Sequence, residues 1–330
     1  MVSMLKLLIL YCLMLIGKQF AMVMPTQISS FNKNLRIITT TAFMPWLLIV
    51  FIVATSSCIE EITGFKDEPT GINVLNSLAC ADSTIDVYIG KTSDIFEPKY
   101  RSDILPESVS LFINDTITDR LNHLGDLKYS GQYLIKPKDK LRLEALFNDG
   151  EVLHAYDSVP GRVEIITAEY MYPAYKSEYG TVYGKIKLTF QDPPDSKNYY
   201  EILFLRDLRY IQTYKIQNSF ISIDFENDPN PPNTILFNDE LINGKLVTLE
   251  IYVSSQVTPT IILRNCSKNY FEYMNSINIH FSTQNTSRSN VYDFFKGDPV
   301  ELFSNIHGGL GIFASYTDFT EECILIDQDE

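Results

Sequence analysis

The sequence predicts a mainly β protein, built from two antiparallel β-sandwich-like domains with one helix in the C-terminal domain. Three observations support this fold class. Apolar and polar residues alternate with period two in six separate runs, turn-forming residues bound those runs, and no helical pattern alternates with them. Short strands at this spacing are typical of antiparallel sandwiches, whereas parallel sheets need a long crossover connection between strands.

The individual elements follow from local patterns. The alternating runs lie at residues 85–89, 108–113, 140–146, 185–190, 200–204 and 247–253. Asn148-Asp149-Gly150 predicts a hairpin after the third run. Apolar residues recur at helical spacing from Cys266 to Ile279, which predicts a helix capped by Asn265 or Ser267. A composition break at residues 158–161 places a boundary between an N-terminal domain at 70–160 and a C-terminal domain at 161–330.

Residues 1–57 have the form of a secretory signal. An apolar stretch at 43–54 follows Lys33 and Arg36 and ends in small residues directly before Cys58. This order is typical of a lipobox, in which the thiol accepts diacylglycerol and several acyl chains then give firm membrane anchoring. We therefore predict a lipidated Cys58 and a polar tether at 58–69. The alternative is an ordinary cysteine beside a signal-anchor helix.

A further apolar stretch at residues 7–16 precedes this signal. A misassigned upstream start codon explains it most simply, with Met24 or Met44 as the true start. Met44 would lose Lys33 and Arg36, so we prefer Met24. The rival explanation is a helical hairpin in the membrane, which the short apolar spans disfavour because a spanning helix needs about 20 residues.

The charge is strongly acidic, with 41 Asp and Glu residues against 27 Lys and Arg residues and a net charge of -14. The first 58 residues contain four basic residues and no acidic residue, so the mature chain has 23 basic residues and a net charge of -18. Nucleic-acid binding requires clustered basic residues that neutralise phosphates. We therefore exclude a nucleic-acid partner.

No motif indicates catalysis, a metal site or a cofactor. The five cysteines include no C-x-x-C pair, the four histidines are isolated, and no G-x-S-x-G motif is present. After removal of Cys12 and acylation of Cys58, three cysteines remain. Cys266 and Cys323 could form a disulfide, but the sequence leaves this open, and we favour buried free thiols.

Two segments are candidates for ligand or partner contact. The first is a group of tyrosines around Pro173 and Gly180 that extends from Tyr170 to Tyr183. Their amphipathic rings suit either a recognition surface or packing at the domain junction, with packing favoured. The second is the glycine-rich segment 305–313, which suits either a loop with free amides or a tight turn that leads into a strand at 310–316, with the turn favoured. The candidate residues are Tyr170, Tyr172, Tyr175, Tyr179, Asn305, Gly308 and Gly309.

Several segments resemble the Bacteroidetes lipoprotein family catalogued as domain of unknown function 4249. The most specific is P-V-E-L-F-S-N-I-H-G-G-L-G-I-F at residues 299–313. Supporting segments lie at 188–193, 198–200, 237–245 and 267–273, in order along nearly the whole mature chain.

This resemblance implies an outer-membrane lipoprotein that accompanies a TonB-dependent transporter. Glu60 and Glu61, soon after the lipidated cysteine, loosely resemble a signal for export to the cell surface. The resemblance supplies no catalytic residues. The leading hypothesis is a non-enzymatic accessory or solute-binding lipoprotein, facing the periplasm or the cell surface. The alternatives are a structural or adhesive surface module and, third, a hydrolase with a carboxylate-based site.

Overall fold

The computed structural model describes residues 71–93, 105–207, 209–218, 222–224, 233–284 and 300–326. The predicted signal segment, Cys58 and the tether at 58–69 lie outside these residues. The described part of the chain contains nineteen strands and one helix, so the protein is mainly β with its helix near the C-terminus, as the sequence predicts.

The elements are short, and most are joined by tight turns. The first ten strands are β1 (Asn73–Cys80), β2 (Asp86–Lys91), β3 (Ser108–Ile113), β4 (Ile117–Arg120), β5 (Asn122–Gly125), β6 (Lys128–Ser130), β7 (Lys140–Leu146), β8 (Val152–Ser158), β9 (Ile165–Lys176) and β10 (Val182–Gln191). The remaining elements are β11 (Tyr199–Arg206), β12 (Arg209–Tyr210), β13 (Thr213–Gln217), β14 (Ser222–Asp224), β15 (Thr234–Asn238), β16 (Leu246–Val253), β17 (Thr260–Cys266), α1 (Lys268–Gln284), β18 (Leu310–Glu322) and β19 (Ile324–Leu325).

These strands form three sheets. A nine-stranded sheet has the order β12-β11-β17-β18-β1-β2-β6-β5, and β15 also pairs with β11. A six-stranded sheet has the order β14-β13-β16-β10-β9-β19, and a four-stranded sheet the order β4-β3-β7-β8. The β1–β18 and β9–β19 pairs are parallel, and the other pairs in these sheets are antiparallel. The parallel pairs join strands far apart in sequence, because parallel neighbours cannot be connected by a tight hairpin.

The six predicted alternating runs all form strands, namely β2, β3, β7, β10, β11 and β16. In β3, for example, Val109, Leu111 and Ile113 are buried while the residues between them are partly exposed. The predicted hairpin also forms between β7 and β8. Gly150 has a φ of 88° and donates a backbone hydrogen bond to Phe147 at 3.0 Å.

Two large clusters of buried side chains lie against the nine-stranded sheet. One comprises residues between 75 and 159 together with Ile306 and Phe313, and the other comprises residues between 163 and 263 together with Cys323. Phe313 of β18 belongs to the first cluster, and Phe319 of the same strand packs against the second. The domain boundary predicted at 158–161 falls between the clusters, but one sheet joins strands from both sides of it. The boundary therefore stays a prediction.

The helix α1 begins immediately after its predicted N-cap residue, Ser267. The Ser267 hydroxyl accepts a hydrogen bond from the Tyr270 backbone N–H at 3.2 Å, which satisfies one of the free amides of the first turn. Tyr270 then packs with Tyr199, Ile312 and Ala314 on the nine-stranded sheet. Within the described ranges, no helix combines the length and apolar character that crossing a bilayer requires.

Candidate functional site

The four tyrosines predicted from the sequence have different environments. Tyr170 is fully buried, and its hydroxyl donates a hydrogen bond to the Ser255 carbonyl at 2.6 Å. Burial raises the pKa of Tyr170 to about 12. Tyr172 packs against the same core and is partly buried, whereas Tyr179 is 78% exposed. The Tyr170 ring is therefore not accessible to a solute, and ligand contacts by Tyr172 and Tyr179 stay predictions.

Tyr175 belongs to a tyrosine cluster on the six-stranded sheet, which we define as Tyr175, Tyr183, Tyr214 and Tyr252. The Tyr183 and Tyr214 ring centroids are 4.3 Å apart, and Tyr175 lies 6.0 Å from Tyr183 and 5.6 Å from Tyr252. Such separations are typical of favourable aromatic pairs. The ammonium of Lys215 lies 5.6 Å from the Tyr175 ring centroid. Tyr183 is buried, and the other three tyrosines are partly exposed. The cluster thus presents part of its aromatic area to solvent, with the Lys215 cation beside Tyr175.

The glycine-rich segment 305–313 is bound closely to the rest of the protein. The Asn305 amide donates to the Phe313 carbonyl at 2.7 Å, and its oxygen accepts from the Phe313 N–H at 2.9 Å. Asn305 therefore pairs with β18 as a neighbouring strand would. His307 and His154 exchange two backbone hydrogen bonds, and their rings stack with centroids 4.8 Å apart.

The glycines of this segment sit where no side chain fits. A Cβ at Gly308 would meet the Val152 carbonyl, and one at Gly309 would meet the Asn73 carbonyl. Gly308 also has a φ of 85°, which L side chains rarely adopt. The close approach of backbone to backbone explains both glycines structurally, and ligand contact by Asn305, Gly308 or Gly309 stays a prediction.

A polar cleft with a volume of about 330 Å³ opens beside the β11–β12 hairpin. Its lining residues come from three parts of the second half of the chain. They are Arg206, Arg209, Tyr210, Ile211, Gln212, Asn233 and Ser254. Ile211 is buried, while the two arginines and Tyr210 are exposed, so the cleft has an apolar floor and polar walls.

The cleft forms where the chain crosses from one sheet to another. The Ile211 N–H donates to the Phe204 carbonyl of β11 at 2.9 Å, in the nine-stranded sheet. The carbonyl of Gln212, the following residue, accepts a longer hydrogen bond of 3.4 Å from the backbone N–H of Ser254. Ser254 directly follows β16 of the six-stranded sheet. The cleft lies at this crossing, because Ile211, Gln212 and Ser254 all line it.

The two arginines lie directly opposite each other on the hairpin. Arg206 pairs with Arg209 in the β11–β12 register, and Asp207 begins the turn with a φ of 50°. Asp and Asn tolerate this conformation in two-residue hairpins. The register therefore holds two guanidinium groups beside the same cleft.

Among the described residues, no carboxylate contacts the side chain of Arg206 or Arg209. By contrast, Arg142, Arg162 and Arg264 each contact an acidic side chain. The residues that line the cleft include no acidic side chain either. The cleft is thus a locally positive site in a protein with a net charge of -14.

The cleft and the tyrosine cluster share two chain segments. Gln212 lines the cleft and Tyr214 belongs to the cluster, while Ser254 lines the cleft and Tyr252 belongs to the cluster. Because two residues of the cluster lie so close in the chain to residues of the cleft, we treat the cleft and the cluster together as the candidate site.

Sequence reasoning did not find this site. Its residues come from segments near 206–215, 233 and 252–254, and only the pairing of β11, β12, β13 and β16 brings them together. One signal was available, because Arg206 and Arg209 flank a two-residue turn in a chain with few basic residues. Closely spaced arginines in an acidic protein indicate a locally positive surface.

Comparison with known protein families decides the classification. Residues 59–322 match the family described as Domain of unknown function (DUF4249). The chain belongs to this family. No curated protein matches the sequence. The match extends over almost all the described residues, so the cleft and the tyrosine cluster lie within the family's own domain in this DUF4249 protein.

This DUF4249 protein also contains a buried ionic network, but that network is closed to solutes. Arg264 contacts Glu201 at 3.0 Å and Asp318 at 2.8 Å, and the Tyr270 hydroxyl donates to Glu201 at 2.6 Å. Burial raises the pKa of Tyr270. Each charged group of the network is already paired. Because Tyr270 belongs to α1 and the other three residues belong to the nine-stranded sheet, the network stabilises the packing of the helix on that sheet.

The described residues contain no group of three or more His, Cys, Asp or Glu side chains arranged to hold a metal ion. Within these same ranges, Cys80, Cys266 and Cys323 are free thiols. The pair that the sequence left open, Cys266 with Cys323, is thus not a disulfide in this structure.

Proposed function

We propose that this DUF4249 protein is a non-enzymatic outer-membrane lipoprotein that binds a solute and works beside a TonB-dependent transporter. The observation that carries the solute-binding part is the cleft lined by Arg206, Arg209 and Tyr210, next to the tyrosine cluster. Its volume of about 330 Å³ lies in the range of small-molecule sites.

The chemistry of the cleft favours binding over catalysis. Among the described lining residues, Ser254 is the one serine or threonine, and these residues include no histidine or carboxylate to act as its base. A serine without an adjacent base is a weak nucleophile. Arg206, Gln212 and Asn233 instead offer hydrogen-bond donors, which fix the orientation of a bound solute.

Anchoring through Cys58 is supported by the apolar stretch and small residues that precede it. The anchor can be tested on protein extracted from membranes. We expect mass spectrometry to find an N-terminal peptide that begins at an acylated Cys58. In a Cys58→Ala variant, the same extraction should give an uncleaved and unacylated chain. An unmodified N-terminus upstream of residue 58 in the natural protein would contradict this part of the proposal.

The transporter partnership can be tested by affinity purification of the tagged protein from solubilised outer membranes. We expect a TonB-dependent transporter to copurify, and we expect deletion of the gene to impair growth on at least one nutrient. Copurification of no transporter together with normal growth would count against the proposal. Normal solute uptake with loss of surface attachment would favour the structural or adhesive alternative.

A further inference from the structure

We infer that the ligand of the cleft is a small anion, a solute that carries a carboxylate or phosphate group bound between Arg206 and Arg209. This inference rests on the proposed solute-binding function and names the chemical class of the solute. Four observations support it: the hairpin register, the lack of a carboxylate contact to either arginine among the described residues, the electrostatics of the whole protein and the remaining wall residues.

The hairpin register holds two like charges together. Arg206 and Arg209 are cross-strand partners, and like charges directly opposite each other on a β-ladder destabilise the pair. The lining residues that the structure describes supply no compensating carboxylate. A bound anion would place negative charge between the two guanidinium groups and relieve their repulsion. This relief would strengthen the binding of an anionic solute.

The arginine side chain suits this role. Its planar guanidinium presents parallel N–H groups that match the two oxygens of a carboxylate or phosphate, and these charge-assisted bonds are about twice as strong as neutral ones. Arg206 and Arg209 are exposed, so both guanidinium groups can reach a solute from the open side of the cleft. Arg264, by contrast, could not bind a solute in this way, because its side chain is only 14% exposed and is already paired with Asp318.

The electrostatics of the whole protein make the cleft distinctive. With a net charge of -14, most of the surface repels anions. An anion that approaches this protein is therefore attracted at few places. The Arg206–Arg209 pair is one of them, because no carboxylate among the described residues contacts either side chain. The preference for an anion at this cleft therefore depends on the contrast between the positive cleft and the acidic surface, as well as on direct contacts with the two arginines.

The other walls indicate that the solute is larger than a bare ion. Tyr210 is 58% exposed and offers a ring face, while Gln212, Asn233 and Ser254 offer uncharged donors and acceptors. An inorganic ion would leave these groups unused. The lining therefore suits a solute of sugar size that bears hydroxyl groups in addition to its anionic group.

Isothermal titration calorimetry of the purified protein with D-glucuronate, glucose 6-phosphate and D-glucose tests the inference. The three probes share a sugar ring, and only the first two carry an anionic group. We expect at least one anionic probe to bind about tenfold or more tightly than D-glucose. We also expect this binding to weaken as salt concentration rises, because salt screens exposed charges.

The double variant Arg206→Gln/Arg209→Gln should reduce binding of the anionic probe about tenfold or more. Arg120→Gln is the control, because it makes the same arginine-to-glutamine change at an exposed position on β4 of the four-stranded sheet. Binding to the control should be unchanged. Circular dichroism of all variants checks that the fold is retained.

The outcomes separate this inference from the proposed function. Failure of both anionic probes to bind, or equal binding to the double variant and the natural protein, would overturn the anionic assignment. Binding of D-glucose that is lost in Tyr210→Ala but kept in the double arginine variant would also overturn it, while leaving solute binding in place. Copurification with a transporter, tested separately, is independent of all three results.

Discussion

Arg264 on β17 donates hydrogen bonds to both carboxylate oxygens of Asp318 on β18, with Nε–Oδ1 and Nη2–Oδ2 distances of 2.8 and 3.0 Å. The same guanidinium donates to Glu201 on β11 and lies over the Tyr316 ring, 3.8 Å from its centroid. Glu201 has a side chain that is only 2% exposed. One arginine thus joins three adjacent strands of the nine-stranded sheet, and removing it would leave a buried carboxylate without its cation.

We therefore expect Arg264→Met to lower the free energy of unfolding by about 3 to 5 kcal/mol, the typical cost of removing one partner of a buried ion pair. Urea denaturation measures this loss. Arg162→Met is the control, because Arg162 contacts Asp82 with side chains that are 40% and 63% exposed. Exposed pairs contribute about 1 kcal/mol or less. Equal losses in the two variants would contradict a structural role for the Arg264 network.

Asp157 connects β8 to β18 and to the start of α1. Its carboxylate accepts hydrogen bonds from the Ser315 hydroxyl at 2.6 Å and from the Asn269 amide at 3.0 Å. Burial raises the pKa of Asp157 from 3.8 to about 6, although hydrogen bonds from Ser315 and Ser267 oppose the rise. The folded state thus binds this proton more tightly than the unfolded state, so the contribution of Asp157 to stability falls as pH rises from about 4 to 6.

Asn cannot ionise, so Asp157→Asn should remove this pH dependence. We expect the difference in unfolding free energy between the natural protein and Asp157→Asn to change by about 2 kcal/mol between about pH 4.5 and pH 7.5, in the direction that favours the variant at the higher pH. Urea denaturation at both pH values measures it. Asp126→Asn, on an exposed turn, should show a smaller change. A difference that is constant with pH would refute the assignment.

Gly308 and Gly150 form a matched pair for testing the glycine-rich segment. Their φ angles are 85° and 88°, but a Cβ at Gly308 would meet the Val152 carbonyl, whereas nothing lies within 4 Å of one at Gly150. We expect Gly150→Ala to cost about 1 kcal/mol for backbone strain. Gly308→Ala should cost at least about 2 kcal/mol more, because β8 or the segment must also move. Similar thermal stability of the two variants would show that the segment is not closely packed.

The buried thiols should be unreactive in the folded protein. Cys266 and Cys323 are buried, and burial raises the pKa of Cys323 to about 12 and that of Cys266 well above its ordinary value. The thiolate is the reactive form. We expect iodoacetamide at about pH 8 to leave both cysteines unmodified until urea unfolds the chain, as peptide mass spectrometry would show. Rapid modification under native conditions would contradict their burial.

Much of the fold was predictable because its signals are local. The alternation in β3 reflects the two faces of a strand, and Ser267 caps α1 through a hydrogen bond within one turn of the chain. Gly150 similarly marks its hairpin by a conformation that few other residues adopt. Each of these features depends on residues within a few positions of one another.

The candidate site was not predictable in the same way. Tyr175 and Tyr183 belong to the tyrosine group that the sequence indicates, but Tyr214 and Tyr252 come from two further strands that no local pattern links to them. The arginine cleft depends on a crossing between two sheets at Ile211 and Gln212, which no local pattern indicates. Sheet order and register decide which side chains meet, and both follow from the packing of the whole core.

The sequence by itself determined the β class, the helix in the C-terminal part of the chain and the strongly acidic charge, because composition and short-range periodicity carry this information. Its resemblance in several ordered segments indicated the family. The tertiary structure alone decided that Tyr170 is in the core, that Gly308 and Gly309 lie against neighbouring backbone, and that Arg206 and Arg209 line one cleft without a carboxylate contact from the described residues. The physical reason is that burial and charge pairing depend on contacts between residues far apart in the chain.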